Sequence, residues 1–344
     1  MSIRAVAELA GVAPSTVSLV LNKPDNVAVE TRKAVFTAIK TLNYLPRERG
    51  RPRKGRDDPQ GANCTNRIAF IAFGTPGQVL QVPIYLDVLH GVESELHNNR
   101  MTMVLRRATK ENLADGRPLL PTRVDGMLLL GDPADSLIDP RLLEAPCVQL
   151  MGQIRPDRAW DHVSYDNSRI GKLAADYLLA RNHKKCAFIG DGANESGHCG
   201  NERQTVFQAA MQAGGGSVDV LLKENLFIKS TGAQMVNRKG LAALVDRLLR
   251  LKPRPTGIFV EADQITSILY FILQERGIRP GVDLAIVSCN NERMVLQGLE
   301  PQPATVDVHA EQVGRRGVEQ LLWRLAHPED RRVTLALEPE LVCQ

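Results

Sequence analysis

The chain has 344 residues, of which 43% are hydrophobic, and 43 Lys and Arg against 39 Asp and Glu give a net charge of +4. No stretch reaches the about 18 consecutive apolar residues of a membrane span, and the first residues lack an apolar export segment, so a cytoplasmic protein without a membrane partner is expected. The six cysteines, at 64, 147, 186, 199, 289 and 343, include no Cys-x-x-Cys pair. They read as buried free thiols in a reducing compartment, and no metal site is expected.

The charge is unevenly placed. Residues 1–56 carry 11 basic against 4 acidic side chains, a local charge of +7, while the remainder sums to −3. A polyanion partner for the amino end explains this economically, because phosphate neutralisation supplies most nonspecific affinity for nucleic acid.

The spacing at that end predicts three short helices. After Ser2, a candidate N-cap, Val6, Leu9 and Ala10 recur at helical intervals and predict an inward apolar stripe. Gly11 supplies a turn, and Pro14 occupies a first helical position that needs no N–H. Val17, Val20 and Leu21 continue the apolar face, which leaves Ser15, Thr16, Ser18, Leu19 and Asn22 outward. A third helix is predicted from Val29 to Leu42, with Val35, Ala38, Ile39 and Leu42 inward, and Pro46 closes the unit. Helix, glycine turn, helix is the pattern that places a second helix in the DNA major groove.

Next comes Arg47 to Arg56, with six cationic side chains in ten residues. Within it Arg49-Gly50-Arg51-Pro52-Arg53-Lys54 resembles the Arg-Gly-Arg-Pro core of an AT-hook. Glycine permits close approach to a groove floor, proline holds the chain extended, and arginine is drawn to the negative potential of a narrow A/T minor groove. The alternative is a basic linker that only neutralises phosphates. Polar, turn-rich residues follow, and the linker is placed at 47–65.

From residue 66 onward short apolar runs alternate with amphipathic helices. Strands are predicted at Arg67 to Phe73, Met101 to Arg106, Gly126 to Leu130, Cys147 to Met151, Lys185 to Ile189, Thr256 to Val260 and Leu284 to Ser288. Helices are predicted at Tyr85 to His97, Ser168 to Ala180, Glu202 to Ala213, Leu241 to Leu251 and Ile265 to Arg276. Such alternation predicts parallel sheets covered by helices, with ligands at the carboxyl ends of the strands. The two halves share an outline, which predicts a pair of similar lobes.

Val6-Ala7-Glu8-Leu9-Ala10-Gly11-Val12, Ser15-Thr16-Val17-Ser18, Val20-Leu21-Asn22, Thr31-Arg32 and Leu42-Asn43-Tyr44-Leu45-Pro46 resemble, in order and spacing, the headpiece of the LacI/GalR family of bacterial transcriptional regulators. The resemblance extends through Tyr85 to Glu93, Val124-Asp125-Gly126, Val163 to Gly171, His183 to Ile189, Glu202-Arg203, Asp263, Val282 to Val287 and Ala304-Thr305-Val306. It implies an all-α helix-turn-helix headpiece at 1–46 and an α/β effector body at 66–344 resembling a two-lobed periplasmic binding protein. It also implies a homodimer on a double-stranded, pseudo-palindromic DNA operator, controlled by a small-molecule effector: a sugar, a sugar derivative or another metabolite. Three crossovers are placed near Val163, Asn290 and Trp323, giving one lobe of 66–163 with 291–322 and another of 164–290 with 323–344.

The resemblance assigns DNA contacts to Pro14, Ser15, Thr16, Ser18, Leu19 and Asn22. Leu19 stands where the family often has a polar reader, and it offers only apolar contact, for instance to a thymine methyl. The family's hinge helix, with its Ala-Arg-x-x-Leu pattern, is missing, and Arg49, Gly50, Arg51, Pro52 and Arg53 take its place. In the effector pocket the resemblance implies Tyr85, Met151, Arg203, Ala262, Asp263 and Asn290. Arg203 is the family's ligand-contacting arginine. Met151, Ala262 and Asn290 replace two aspartates and an asparagine, which lowers the fit to a free neutral sugar and favours an anionic or less polar metabolite.

Glycine-rich phosphate loops and a Gly-x-Ser-x-Gly elbow are absent, so neither catalysis nor a cofactor is expected. An exported solute-binding protein is the competing reading, but it has no use for a basic headpiece.

Binding to an operator is expected to depend on A·T pairs flanking the major-groove half-sites and to weaken in Arg51→Ala. Exchanging those pairs for G·C puts an amino group in the minor groove, whereas I·C does not. In a band-shift series the I·C operator should bind like A·T; equal weakening by G·C and I·C would remove minor-groove reading.

Overall fold

The computed structural model describes residues 3–22, 27–42, 44, 65–73, 82–108, 123–132, 145–154, 158, 160–192, 200–230 and 233–343. The arm residues Arg49, Gly50, Arg51, Pro52 and Arg53, and the proposed cap Ser2, lie outside these.

Three helices form the amino-terminal unit: α1 (Ile3–Leu9), α2 (Pro14–Asn22) and α3 (Val29–Thr41). The backbone turns through Gly11 at φ +64°, and α1 and α2 meet at 102°. That angle lies in the range of helix-turn-helix units. Val6, Ala7, Val17, Val20, Val35, Phe36, Ala38 and Ile39 form the core, closed by Tyr44. Leu9 departs from expectation, being 53% exposed. The inner face of α1 is instead Ile3, Val6, Ala7 and Ala10, an equally regular helical spacing that puts Leu9 outside.

Thr65 opens the body, its backbone N–H and its hydroxyl each donating to Asp125 Oδ1 at 2.8 Å. The first lobe then lays down β1 (Arg67–Phe73), α4 (Pro83–Asn98), β2 (Thr102–Ala108), β3 (Gly126–Leu130), β4 (Cys147–Leu150) and β5 (Asp161–Tyr165). The chain crosses at Asp166, whose carboxylate caps α5 (Asn167–Ala180) by accepting from Arg169 N–H at 2.9 Å. The second lobe contains β6 (Lys185–Asp191), α6 (Gly200–Ala213), β7 (Ser217–Lys223), the hairpin β8 (Phe227–Ser230) and β9 (Ala233–Val236), α7 (Arg238–Arg250) and β10 (Gly257–Val260). It continues with α8 (Asp263–Glu275), β11 (Ala285–Asn290), α9 (Arg293–Leu296) and β12 (Ala304–Asp307). Then α10 (Ala310–Ala326) and β13 (Thr334–Leu337) return to the first lobe, and β14 (Glu340–Val342) ends in the second.

Among the described residues each lobe holds a six-stranded sheet, in the orders β13-β5-β4-β3-β1-β2 and β14-β12-β11-β10-β6-β7. Every pairing in them is parallel except β12 with β14. The central strands β1, β3, β4 and β10 are near-continuous buried runs, as expected where helices cover both faces.

The later crossovers differ from expectation. Val287 to Asn290 pair with Ala304 to Asp307, so the chain stays in the second lobe beyond Asn290 and crosses at 308–309 and again at 338–339. Trp323 lies inside α10, on the first lobe. Packing explains this placement: a side chain at Gly314 would run into the Val88 carbonyl, and one at Gly91 into that of Glu311. The paired glycines thus let α10 lie against α4 backbone to backbone. At the far end of α10, Arg324 forks onto Asp161, with Nη2 to Oδ1 at 2.8 Å and Nε to Oδ2 at 3.0 Å. Burial alone would raise the pKa of Asp161, but donors from Arg324, Gln320 and the Val333 amide outweigh it and hold the carboxyl below its ordinary range.

Candidate functional site

The two ends of the chain present different chemistry. On α2, Pro14, Ser15 and Leu19 are exposed and Thr16 and Ser18 half-buried, while Val17 and Val20 anchor the opposite face. Leu19 is 42% exposed, an apolar side chain held out to solvent amid hydroxyls. Asn22 closes the helix. A short helix with small polar side chains and one leucine outward fits a major groove, where each kind of contact has a counterpart on base edges.

The second candidate site lies where the strands of the two lobes end. Tyr85, in the first turn of α4, places its hydroxyl 3.9 Å from where a Cβ on Gly131 would stand, at the end of β3. Met151, just past β4, is buried with φ +61°, and its carbonyl is 3.0 Å from His162 Nε2. Those two residues face from the first lobe. Arg203, Ala262, Asp263 and Asn290 belong to the second lobe, so the structure divides the expected pocket residues between the two sheets.

Arg203 is buried at 5% exposure. Its Nε donates to Asn167 Oδ1 at 2.8 Å and its Nη1 to the Glu261 carbonyl at 2.9 Å. The Tyr165 ring lies 5.2 Å from the guanidinium carbon. A side chain at Gly171 would collide with the Arg203 carbonyl, so the glycine brings α6 close enough to α5 for these bonds to form. The guanidinium is thereby aligned by Asn167 and a backbone carbonyl, geometry that lysine cannot reproduce.

Ala262 precedes α8 in an extended conformation and adds no polar group. Asp263, fully buried, starts that helix. Its Oδ1 accepts from the Ser288 hydroxyl and from Thr305 Oγ1 at 3.0 Å, and its Oδ2 accepts from the Glu292 amide at 2.7 Å. One carboxylate therefore ties the ends of β11 and β12 to α8. Burial nevertheless pushes its pKa up to about 6, against these hydrogen bonds and the charge of Arg203.

Asn290 ends β11 at φ +107°, followed by Asn291 at φ +56°. Asparagine tolerates positive φ better than most residues, and two in succession swing the chain sharply toward the first lobe. That turn carries Glu292 into the interior at 3% exposure. Burial, and then the charge of Asp263, push the Glu292 carboxyl up to about 8. Asn290 Oδ1 is a buried oxygen outside any hydrogen bond of regular geometry. The Ile84 amide and the Gln264 side chain donate toward the Glu292 carboxyl and oppose the rise.

Sequence reasoning missed Tyr165, Asn167, Glu261, Ser288, Thr305 and Glu292. Asn167 and Tyr165 lie within the Val163 to Gly171 stretch already singled out, and a polar pair beside an apolar strand end was the available signal. Glu292, in an Asn-Asn-Glu-Arg turn, looked like ordinary solvent-facing polarity.

An outward-facing helix-turn-helix on the same chain as two sheets with a polar joint at their strand ends defines a DNA-binding regulator with a small-molecule sensor body. The model for bacterial regulatory proteins of the lacI family matches residues 2–47, and that for the periplasmic binding protein-like domain matches 175–343. A transcriptional repressor named PurR from Vibrio cholerae serotype O1 is 30% identical over 351 residues, spanning 99% of this chain and 96% of that protein. Another PurR, from Mannheimia succiniciproducens, is 26% identical over 349 residues, with 99% and 97% covered. Among solved structures, a transcriptional regulator CelR–cellobiose complex aligns at TM-score 0.67 and 26% identity, covering 100% of this chain and 98% of the other. The operator-bound lac repressor dimer shares the fold at TM-score 0.63 and 17% identity, covering 100% and 98%. The chain belongs to the LacI family of bacterial transcriptional regulators.

The buried acids carry a pH signature. Both Asp263 and Glu292 keep protons in the folded protein at pH values where the unfolded chain has lost them, so their contribution to stability is greatest at low pH and falls as pH rises. Asp263 contributes to this fall up to about pH 6 and Glu292 up to about pH 8. In urea unfolding of the full chain, Glu292→Gln is expected to flatten the decline between pH 6 and 8, whose slope is at most about 1.4 kcal/mol per pH unit. An unchanged slope in the variant would mean that Glu292 ionises freely in the folded protein.

Proposed function

We propose that the protein is a homodimeric transcriptional repressor organised as headpiece (1–46), basic arm (47–65) and effector body (66–344). Two copies of α2 enter successive major grooves of a pseudo-palindromic operator, with Pro14, Ser15, Thr16, Ser18, Leu19 and Asn22 toward the DNA. The arm, through Arg49, Gly50, Arg51, Pro52 and Arg53, follows an adjacent A/T minor groove. Dimer symmetry is mirrored in the DNA.

The effector lies between Tyr85 and Met151 on one lobe and Arg203, Ala262, Asp263 and Asn290 on the other. It acts through its difference in affinity for the open and closed lobe arrangements, which set the separation of the two arms. The agreement with curated repressors over 99% of the chain, headpiece included, carries this reading. The cellobiose complex of CelR supports a small-molecule effector.

Selection of genomic duplex fragments by the full chain, followed by anisotropy titration against random competitor, tests the proposal. A discrete palindromic site should emerge, with affinity falling steeply as salt rises. Leu19→Ala should relax base preference at one symmetric step and leave the salt slope unaltered. Equal binding to selected and random duplex at moderate ionic strength would overturn the assignment.

A further inference from the structure

Beyond residue 56 the chain carries a net charge of −3, yet one face of the second lobe is basic. At the amino end of its sheet, Arg181 and Lys184 lead from α5 into β6, and Arg250, Lys252 and Arg254 lead from α7 into β10; all five are exposed. The two loops lie side by side, since His183 Nδ1 is 3.0 Å from Thr256 Oγ1 and the Thr256 amide donates to the Lys185 carbonyl at 2.9 Å. The charge of Arg181 is near enough to join burial in lowering the His183 pKa. The carboxylates close by are already taken, Asp219 by Lys185, Asp246 by Arg276 and Asp283 by Arg279. Glu300 is exposed, but it stands beyond β11, next to the Pro301 ring that touches Gly281. Among the described residues none of the five cations has a carboxylate partner.

Helix ends explain part of this. The last turn of a helix attracts a cation, which accounts for Arg250 in α7 and for Arg181 at the cap of α5, whose guanidinium also lies 3.6 Å from the centre of the Tyr177 ring. Lys184, Lys252 and Arg254 come after those turns, in the loops, and are not accounted for in that way. Like charges gathered on one face repel, and a bound anion relieves the repulsion. What the face lacks identifies the anion. Protein interfaces are built around buried aromatic or aliphatic anchors, and none of the exposed large hydrophobic side chains among the described residues belongs to either loop. A polar, positive surface without an apolar centre fits a phosphate backbone instead.

The face also lies away from the headpiece. The chain enters the first lobe at the amino end of β1, where Thr65 bonds to Asp125, and it crosses between lobes from the carboxyl ends of β5, β12 and β13. The carboxyl ends of the two sheets therefore meet and their amino ends point apart, so the basic face sits at the opposite end of the body from the headpiece junction. We infer that this face, built from Arg181, Lys184, Arg250, Lys252 and Arg254, binds the phosphate backbone of a second segment of duplex DNA, and that a repressor seated on its operator thereby tethers a distant stretch. Contacts to phosphate alone read no base sequence, so any duplex serves. The tethering rests on the operator reading proposed above, whereas the phosphate contact does not.

Two measurements on the full chain test this. In amine footprinting, acetylation of each lysine is read with and without a long random duplex at low salt, and Lys184 and Lys252 are expected to lose reactivity. In a capture assay, a short immobilised operator saturated with the chain should retain a labelled random duplex. Retention should fall with salt at a slope of log K against log salt of about −4.5 for five phosphate contacts. Lys184→Glu, Lys252→Glu and Arg254→Glu together should abolish capture and leave the melting temperature and the operator affinity unaltered, because all three side chains are exposed and unpaired. Equal lysine reactivity with and without duplex, or undiminished capture by the triple variant, would overturn the inference. So would stronger protection by polyglutamate or by anionic phospholipid vesicles than by duplex at equal charge, which would assign an acidic protein or a membrane to the face. If no operator holds the chain while random duplex still protects Lys184 and Lys252, the operator reading falls and the phosphate contact stands.

Discussion

Charge held in a place that disfavours charge governs the second lobe. Asp263 is fully buried, yet two hydroxyls and an amide converge on it. Those bonds bind α8 to the ends of two strands and fix the turn at Asn290 and Asn291. The same turn delivers Glu292, a second carboxylate, into the interior beside it. Burial pushes both pKa values upward, with the charge of Asp263 adding to the rise at Glu292, so the joint between the lobes holds a protonation equilibrium. Replacing Asp263 with a residue unable to accept would strand Ser288, Thr305 and the Glu292 amide together.

The rest of the body reads as a frame for that joint. In the first lobe α10 lies on α4 through paired glycines, and Arg324 pins its end to Asp161. These contacts pack α4 firmly into the first lobe, and α4 carries Ile84, Tyr85 and Asp87. In the second lobe Gly171 brings Arg203 to Asn167. Among the described residues the chain crosses between the lobes at Asp166, 308–309 and 338–339. The buried ionisable groups of the second lobe lie close to the crossing at 308–309, where β12 leads into α10.

Much of this was legible in the order of residues. Strands buried on both faces announce themselves as apolar runs, so β1 and β3 were bounded correctly from Arg67 and Gly126. The helix-turn-helix was equally plain, except that Leu9 and Ile3 compete for the inner face of a two-turn helix and only packing decides between them. The strand β5 was not identified as one, because Asp161, His162 and Ser164 give it a polar face that looks like a loop until Arg324 and Gln320 satisfy it. The later crossovers were misplaced for a related reason. Nothing local says which sheet β12 or β13 joins, since either edge accepts a short apolar strand. Arg203 was found through family likeness, whereas Glu292 was hidden because its burial is imposed by the other lobe.

Sensor and headpiece on one chain amount to a single thermodynamic device only if each site feels the other. Coupling is reciprocal: a ligand that changes operator affinity by some factor must see its own affinity changed by the same factor on operator-bound protein. The direct measurement is the ligand dissociation constant of the full chain, once free and once saturated with its selected operator. The expected result is a difference of roughly 5- to 150-fold, equal to the change the ligand makes in operator affinity. Identical ligand affinities in the two states would contradict a body that senses on behalf of the headpiece.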